Sequence, residues 1–120
     1  MNNFFAVPEA ANATNPEFLE TVLRGSGALR IERILSHGHT TPKDSWYDQE
    51  EDEWVLVMEG KALLLFPDGK EVSLEKGEHY LLPKHTRHRV IYTSTPCLWL
   101  AVFGEILTVP GNVTDCAESR

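Results

Sequence analysis

Histidine is concentrated in two stretches of the sequence, His37-Gly38-His39 and the segment from Gly77 to His88. In an extended strand alternate side chains point to the same side, so His37 and His39 would present their imidazoles together. Imidazoles that converge with a carboxylate suit iron, manganese, nickel or zinc, with an open position left for a substrate. The elements around these stretches decide whether the side chains can meet.

The residues before His37 have the pattern of a strand with one mainly apolar side. Leu29, Ile31, Arg33 and Leu35 share that side by alternation, and the histidine pair continues it. Arg33 interrupts the apolar side, and a buried arginine needs a carboxylate partner or an anionic ligand. Arg33 is therefore predicted to bind a substrate carboxylate or phosphate, or to pair with one of the many acids.

Short apolar runs separated by Gly, Pro and Asp continue along the chain, with few places for a helix of useful length. Residues 16–23 fit either two helical turns or an edge strand, and the strand is favoured. Further strands are expected on both sides of Glu59-Gly60-Lys61 within residues 54–66, after the hairpin signal Asp68-Gly69, and at 79–83, 89–92 and 97–103. Such regular spacing predicts an all-β barrel or double-sheet roll.

The length of 120 residues indicates one domain, with a barrel at about 17–108 and flexible tails at 1–15 and 109–120. A net charge of −7 without a run of Lys or Arg argues against a nucleic-acid partner. The sequence contains no membrane-spanning stretch, and its N-terminus lacks the basic region of a secretory signal, so a cytoplasmic location is expected. Cys97 and Cys116 are expected to be unpaired thiols.

Two segments of the chain resemble the two short motifs of the cupin superfamily. Glu53 and Gly60 match the end of the first motif, and Gly77, Pro83 and His88 match the second in register. His85 stands where that motif has glycine, and Tyr92 stands where it has asparagine. The resemblance covers roughly residues 29 to 103.

The resemblance implies a cupin-type β-barrel, a double-sheet jelly roll, with Glu53 and His88 as ligands of a metal or a substrate. It leaves the activity open, because cupins include several classes of enzyme, sugar-binding regulators and storage proteins. Cupins also often dimerise, and an exposed edge strand invites pairing, so a homodimer is expected.

The histidine pair that precedes the motif glutamate in metal-binding cupins is missing here. Its slots hold Trp46 and Asp48 or, with the shorter spacing, Tyr47 and Gln49. In one arrangement residues 40–52 are an insertion, and His37 and His39 join Glu53 and His88. In the other, residues 46–49 replace the pair and leave Asp48, Glu53 and His88 as ligands. A pocket without metal is the third alternative.

Two functions of different classes follow. The first is an enzyme whose divalent metal acts on a small polar substrate, sugar-like or carboxylated. The alternative is a non-catalytic, metal-free module that binds a small molecule. In either case the candidate pocket residues besides the ligands are His85, Arg33, Trp46, Tyr47 and Tyr92.

Overall fold

The computed structural model describes residues 2–12, 16–107 and 109. Within them a short 3-10 helix at Glu9–Asn12 is followed by eight strands. The strands are β1 (Phe18–Arg24), β2 (Arg30–Ser36), β3 (Asp52–Glu59), β4 (Lys61–Leu65), β5 (Glu71–Glu75), β6 (His79–Leu82), β7 (Arg89–Thr93) and β8 (Cys97–Gly104). No helix in these described residues is long and apolar enough to cross a membrane.

The strands form two antiparallel sheets with the orders β1-β2-β8-β3-β6 and β5-β4-β7. The ambiguous segment at 16–23 contributes β1, the edge strand of the larger sheet. The predicted turn at Gly60 carries the chain from β3 in one sheet to β4 in the other. The expectation of an all-β fold with two sheets is therefore confirmed.

Gly60 is required by the geometry of this crossing between the sheets. Its φ is +93°, a conformation that side chains strongly disfavour. A Cβ at this position would lie 2.5 Å from the carbonyl oxygen of Pro96. Any larger residue would push β3 away from the segment that leads into β8.

The interior between the sheets is apolar at one end and charged at the other. Strand β8 runs through the middle of the larger sheet, where Trp99 is paired with Ile34 of β2 and Val57 of β3. Four residues further along β8, on the same face, Phe103 is paired with Arg30 and Glu53. The register therefore brings a guanidinium and a carboxyl to the same end of the inner face.

The other face of β2 packs against the N-terminal segment, residues 2–12. Alternation from Leu29 predicts that Arg33 points into the barrel, but Arg33 and Leu35 lie on the opposite face. Arg33 Nη1 donates hydrogen bonds to the carbonyls of Phe4 and Ala6 at 2.9 and 3.3 Å. Its Nη2 lies 2.6 Å from Oε1 of Glu20 on β1. Arg33 thus has the acid partner that the sequence offered as the alternative to a ligand.

Apolar contacts complete the attachment of this segment. Phe4, Val7 and Ala11 pack with Leu35 and Leu98 on the outer face of the larger sheet. Residues 2–12 therefore contact the sheet, and the flexible tail expected at 1–15 stays a prediction. Of the second expected tail, 109–120, all residues but Val109 lie outside the described part of the chain.

We predict that Arg33→Ala lowers the free energy of unfolding by about 1–2 kcal/mol, because it leaves the part-buried carbonyls of Phe4 and Ala6 and the Glu20 carboxylate without their cation. Urea unfolding measures this loss. Arg24→Ala is the matched control, since Arg24 is an exposed arginine on β1. Equal unfolding midpoints for the two variants would contradict a stabilising role for the contacts of Arg33 with the N-terminal segment and Glu20.

Candidate functional site

A cavity of about 270 Å³ opens between the two sheets at the charged end of the interior. Its walls combine apolar side chains from both sheets with polar side chains from the strands and from residues 39–49. The apolar lining residues include Val55, Leu64, Leu82, Val90, Trp99 and Phe103. The volume suits a ligand of metabolite size, and the polar groups set which ligand can bind.

Glu53 is the buried carboxyl of this cavity. It lies on the inner face of β3, paired with Phe103 on one side and Leu82 on the other, and is only 8% exposed. Burial raises the pKa of Glu53 to about 7, although the Gln49 side chain donates a hydrogen bond that opposes this rise. The carboxyl is therefore protonated to a substantial degree at neutral pH, where an exposed glutamate would be ionised.

His88 is the buried imidazole of the same cavity, 4% exposed, at the residue before β7. Its backbone exchanges hydrogen bonds with that of Tyr47, at 2.8 and 3.2 Å. Its Nδ1 donates to the carbonyl of Thr86 at 2.8 Å, which leaves Nε2 as the acceptor nitrogen. Because burial lowers the pKa of His88, the ring is mostly neutral at pH 7.

Tyr47 and Gln49 line the cavity, whereas Trp46 and Asp48 do not. Residues 46–49 are extended, so alternate side chains point inward. Partial burial, with the charge of Glu17 as a smaller cause, raises the pKa of Tyr47 and keeps its hydroxyl protonated, although the residue is 43% exposed. Of the two spacings before Glu53, the shorter one, with Tyr47 and Gln49, therefore corresponds to residues that line the cavity.

The residues that point outward from this segment have surface partners. Nδ1 of His85 lies 2.9 Å from Oδ1 of Asp48, and both side chains are more than half exposed. Trp46 lies beside the guanidinium groups of Arg87 and Arg89, 5.4 and 5.6 Å from its ring centroid. The structure thus places Asp48, His85 and Trp46 outside the cavity.

His37 and His39 do not act as a pair. Strand β2 ends at Ser36, and Gly38 turns the chain with a φ of +79°, so the alternation stops before the histidines. His39 lines the cavity, but its Nδ1 accepts a hydrogen bond from the backbone N–H of His37 at 2.9 Å. The neutral ring of His39 therefore carries its proton on Nε2, and His37 does not line the cavity.

A family model for the cupin domain matches residues 31–103 of this chain. The chain belongs to the cupin family. This confirms the resemblance seen in the sequence motifs, and the two-sheet fold is that of a cupin.

Solved structures with the same fold include one that is clearly related in sequence. A protein of Ralstonia eutropha described as a candidate mannose-6-phosphate isomerase is 35% identical, with a TM-score of 0.79 over 88% of this chain and 98% of that one. A cupin superfamily protein of Desulfitobacterium hafniense is 16% identical, with a TM-score of 0.64 over 78% and 81% of the two chains. The latter likeness concerns the fold alone. No curated protein sequence matches this chain.

The side chains that line this cavity do not match the set of three imidazoles and one carboxylate that would hold a divalent metal. In the described residues no group of three His, Cys, Asp or Glu side chains is placed to hold an ion. Glu53 and His88 lie in the cavity, but the two slots before Glu53 bring an amide and a protonated phenol instead of imidazoles. Neither group competes with imidazole or thiolate for a transition metal.

Arg30 and Glu32 line the cavity from even positions of β2, and they were not predicted because β2 was assigned the opposite inner face. Glu17, just before β1, also lines the cavity and was not predicted. Tyr92, a candidate pocket residue, is 44% exposed and does not line it. The alternation in β2 correctly predicted a strand. It could not show which face is the inner one, because both faces are covered and both are partly apolar.

We predict that Glu53 makes the protein less stable as the pH rises. The folded pKa of about 7 exceeds the ordinary value of 4.5, so its full contribution is present below pH 4.5 and is lost as the pH rises through 7. The loss should approach about 3 kcal/mol.

Urea unfolding of the wild type and Glu53→Gln at pH 5 and pH 8 tests this prediction. The variant should gain stability relative to the wild type on going from pH 5 to pH 8. Comparing the two proteins isolates Glu53 from other titrating groups, including His88. An identical pH dependence in both proteins would contradict the buried, protonated carboxyl.

Proposed function

We propose that this cupin binds a small polar organic molecule in its cavity through direct side-chain contacts, without a divalent metal. The observation that carries the proposal is the placement of Tyr47 and Gln49 in the two inward slots before Glu53. Of the two functions expected from the sequence, this geometry favours the metal-free binding module.

The polar groups of the cavity offer a ligand both donors and acceptors. Nε2 of His88 accepts a hydrogen bond, and the protonated carboxyl of Glu53 donates one. The hydroxyl of Tyr47 and the amide of Gln49 are further groups of mixed character on the same wall. These groups suit the hydroxyl, carbonyl and amino groups of a small metabolite.

A proton can also be exchanged with the bound molecule. The pKa of Glu53, raised by burial to about 7, lies near neutral pH, which favours general acid–base catalysis. His88 is neutral and able to accept a proton through Nε2. If a reaction occurs here, we expect proton transfer on the ligand, with Glu53 as the acid or base.

The description of the Ralstonia eutropha protein suggests a sugar phosphate as one ligand to consider. The sugar hydroxyls match the cavity, but the phosphate does not. Arg30 is the one Arg or Lys among the lining residues, and it already contacts Glu32 and Glu51 at 2.9 and 2.8 Å. We therefore do not extend the sugar-phosphate activity to this chain.

A metal-dependent function is the second candidate, and one observation favours it. His88 presents an acceptor Nε2 while its Nδ1 is anchored to a backbone carbonyl, which is the usual setting of a metal-bound histidine. Glu53 would be the second ligand, and iron, manganese, nickel and zinc stay the ions to test.

A cytoplasmic location and a homodimer also stay predictions.

Nuclear magnetic resonance titrations of the chelator-treated full chain test the proposal. The probes are a panel of small polyols, aldoses, hydroxy acids and amines. At least one of them should shift the backbone amide signals of Tyr47, Gln49, Glu53 and His88. Signals that shift only after zinc or manganese is added would contradict metal-free binding.

The chain offers a matched pair of histidines for the variants. We predict that His88→Ala weakens binding about tenfold, because the ligand loses a buried hydrogen-bond partner worth about 1.4 kcal/mol. His85→Ala, three residues away and exposed, should leave the affinity unchanged. Equal effects of the two substitutions would place the binding site outside the cavity.

A further inference from the structure

We propose that the ligand of this cavity is a small organic cation, such as an amine or a quaternary ammonium compound, and that carboxylates and phosphates are excluded. This inference rests on the proposed function, because it names the ligand class of the same site. It is carried by the charges and the aromatic walls of the cavity.

Acidic side chains outnumber cations around the cavity. Glu17, Glu32 and Glu53 line it, and Arg30 is the one lining side chain that is always positively charged. Glu51, beside them, also contacts Arg30. The carboxylates are close enough to act on one another, since the charges of Glu32 and Glu51 add to the effect of burial on the pKa of Glu53. A ligand therefore enters a field that attracts positive charge.

Arg30 is not free to hold an anionic ligand. Its Nε lies 2.9 Å from Glu32 and its Nη1 lies 2.8 Å from Glu51, so two edges of the guanidinium are occupied by carboxylates. Its flat face covers the ring of Phe103, 4.2 Å from the ring centroid. An incoming carboxylate could pair with this guanidinium only beside these two acids, whose negative charges would oppose it.

Besides the excess of acidic over basic side chains, aromatic side chains in the cavity wall also favour a cation. Tyr47 and Trp99 line the cavity, and the faces of such rings carry the negative part of the aromatic quadrupole, whereas one face of Phe103 is already covered by Arg30. Trp99 is anchored, because its Nε1 donates a hydrogen bond to Oγ of Ser36 at 3.2 Å. Ser36 Oγ is in turn hydrogen-bonded to the carboxylate of Glu17. The chain thus fixes an indole and a carboxylate on neighbouring parts of the wall.

Like charges repel more strongly in this half-open cavity than in bulk water, because the protein walls replace part of the water that screens them. A carboxylate or phosphate ligand would lose its hydration and meet Glu17 and Glu32 without a free cation in return. An ammonium group loses hydration as well, but it gains these carboxylates as partners. The difference between the two ligands sets the selectivity.

Three ligands of the same shape and different charge test this inference. Benzylammonium, benzyl alcohol and benzoate are titrated into the chelator-treated full chain, and the indole N–H signals are followed by nuclear magnetic resonance. The chain has three tryptophans, of which Trp99 lines the cavity and Trp46 and Trp54 do not. We expect benzylammonium to shift the Trp99 signal with at least about tenfold higher affinity than benzoate.

Two charge-removing variants and one control identify the carboxylates responsible. Glu17→Gln and Glu32→Gln should each weaken benzylammonium binding by roughly fivefold to tenfold and change benzyl alcohol binding by less than about twofold. Glu32→Gln should also improve benzoate binding, because it frees one edge of Arg30. Glu71→Gln removes an exposed carboxylate outside the cavity and should change none of these affinities. Unchanged Trp46 and Trp54 signals show that each variant is folded.

The possible failures are distinguishable. If benzoate or benzyl alcohol shifts Trp99 and benzylammonium binds no more tightly than benzoate, the cation inference is overturned while the metal-free cavity stands. If all three compounds shift Trp99 only after zinc is added, the proposed function itself is wrong. If benzylammonium leaves the Trp99 signal unchanged up to tens of millimolar, the cation inference is likewise overturned.

Discussion

The burial of one carboxyl, that of Glu53, constrains the chemistry of the whole cavity. Strand register places Glu53 between Phe103 and Leu82, where a negative charge would be poorly solvated. Gln49 gives it one hydrogen bond, and the nearby Arg30 is held by Glu32 and Glu51 instead. The carboxyl is therefore protonated to a substantial degree near neutral pH, and its neighbours make the cavity acidic rather than cationic.

The fold supports this site from both faces of the larger sheet. On the inner face β8 aligns β2 and β3, so that Arg30 and Glu53 flank Phe103. On the outer face Arg33 fixes the N-terminal segment over β2 through backbone carbonyls and Glu20. Two arginines on opposite faces of β2 thus serve different purposes: Arg33 stabilises the fold, and Arg30 lines the cavity.

Much of the fold could be predicted from the sequence, because strands and turns depend on local signals. Gly60 and the Asp68-Gly69 pair marked their turns, and the motif spacing of Glu53 and His88 identified two residues that line the cavity. The inner face of β2 could not be assigned, since the N-terminal segment covers the outer face and makes both faces partly apolar. The alternation that would pair His37 with His39 ends at Ser36, and of the two histidines only His39 lines the cavity.

The segment that replaces the usual histidine pair shows where sequence reasoning reaches its limit. Both spacings before Glu53 were open, and only the extended backbone of residues 46–49 brings Tyr47 and Gln49 inward while Asp48 pairs with His85 at the surface. The choice depends on how a loop meets the strand after His88, through backbone hydrogen bonds that any residue can make. The types of the side chains at 46–49 therefore did not indicate which pair faces the cavity.

The most direct measurement of the central claim is the metal content of untagged protein purified without chelator, by plasma mass spectrometry, for the wild type and the double variant Tyr47→His, Gln49→His. The wild type should carry only traces of iron, manganese, nickel and zinc. The variant, with two imidazoles added beside Glu53 and His88, should carry near-stoichiometric metal. Near-stoichiometric metal in the wild type, lost in His88→Ala, would contradict the account.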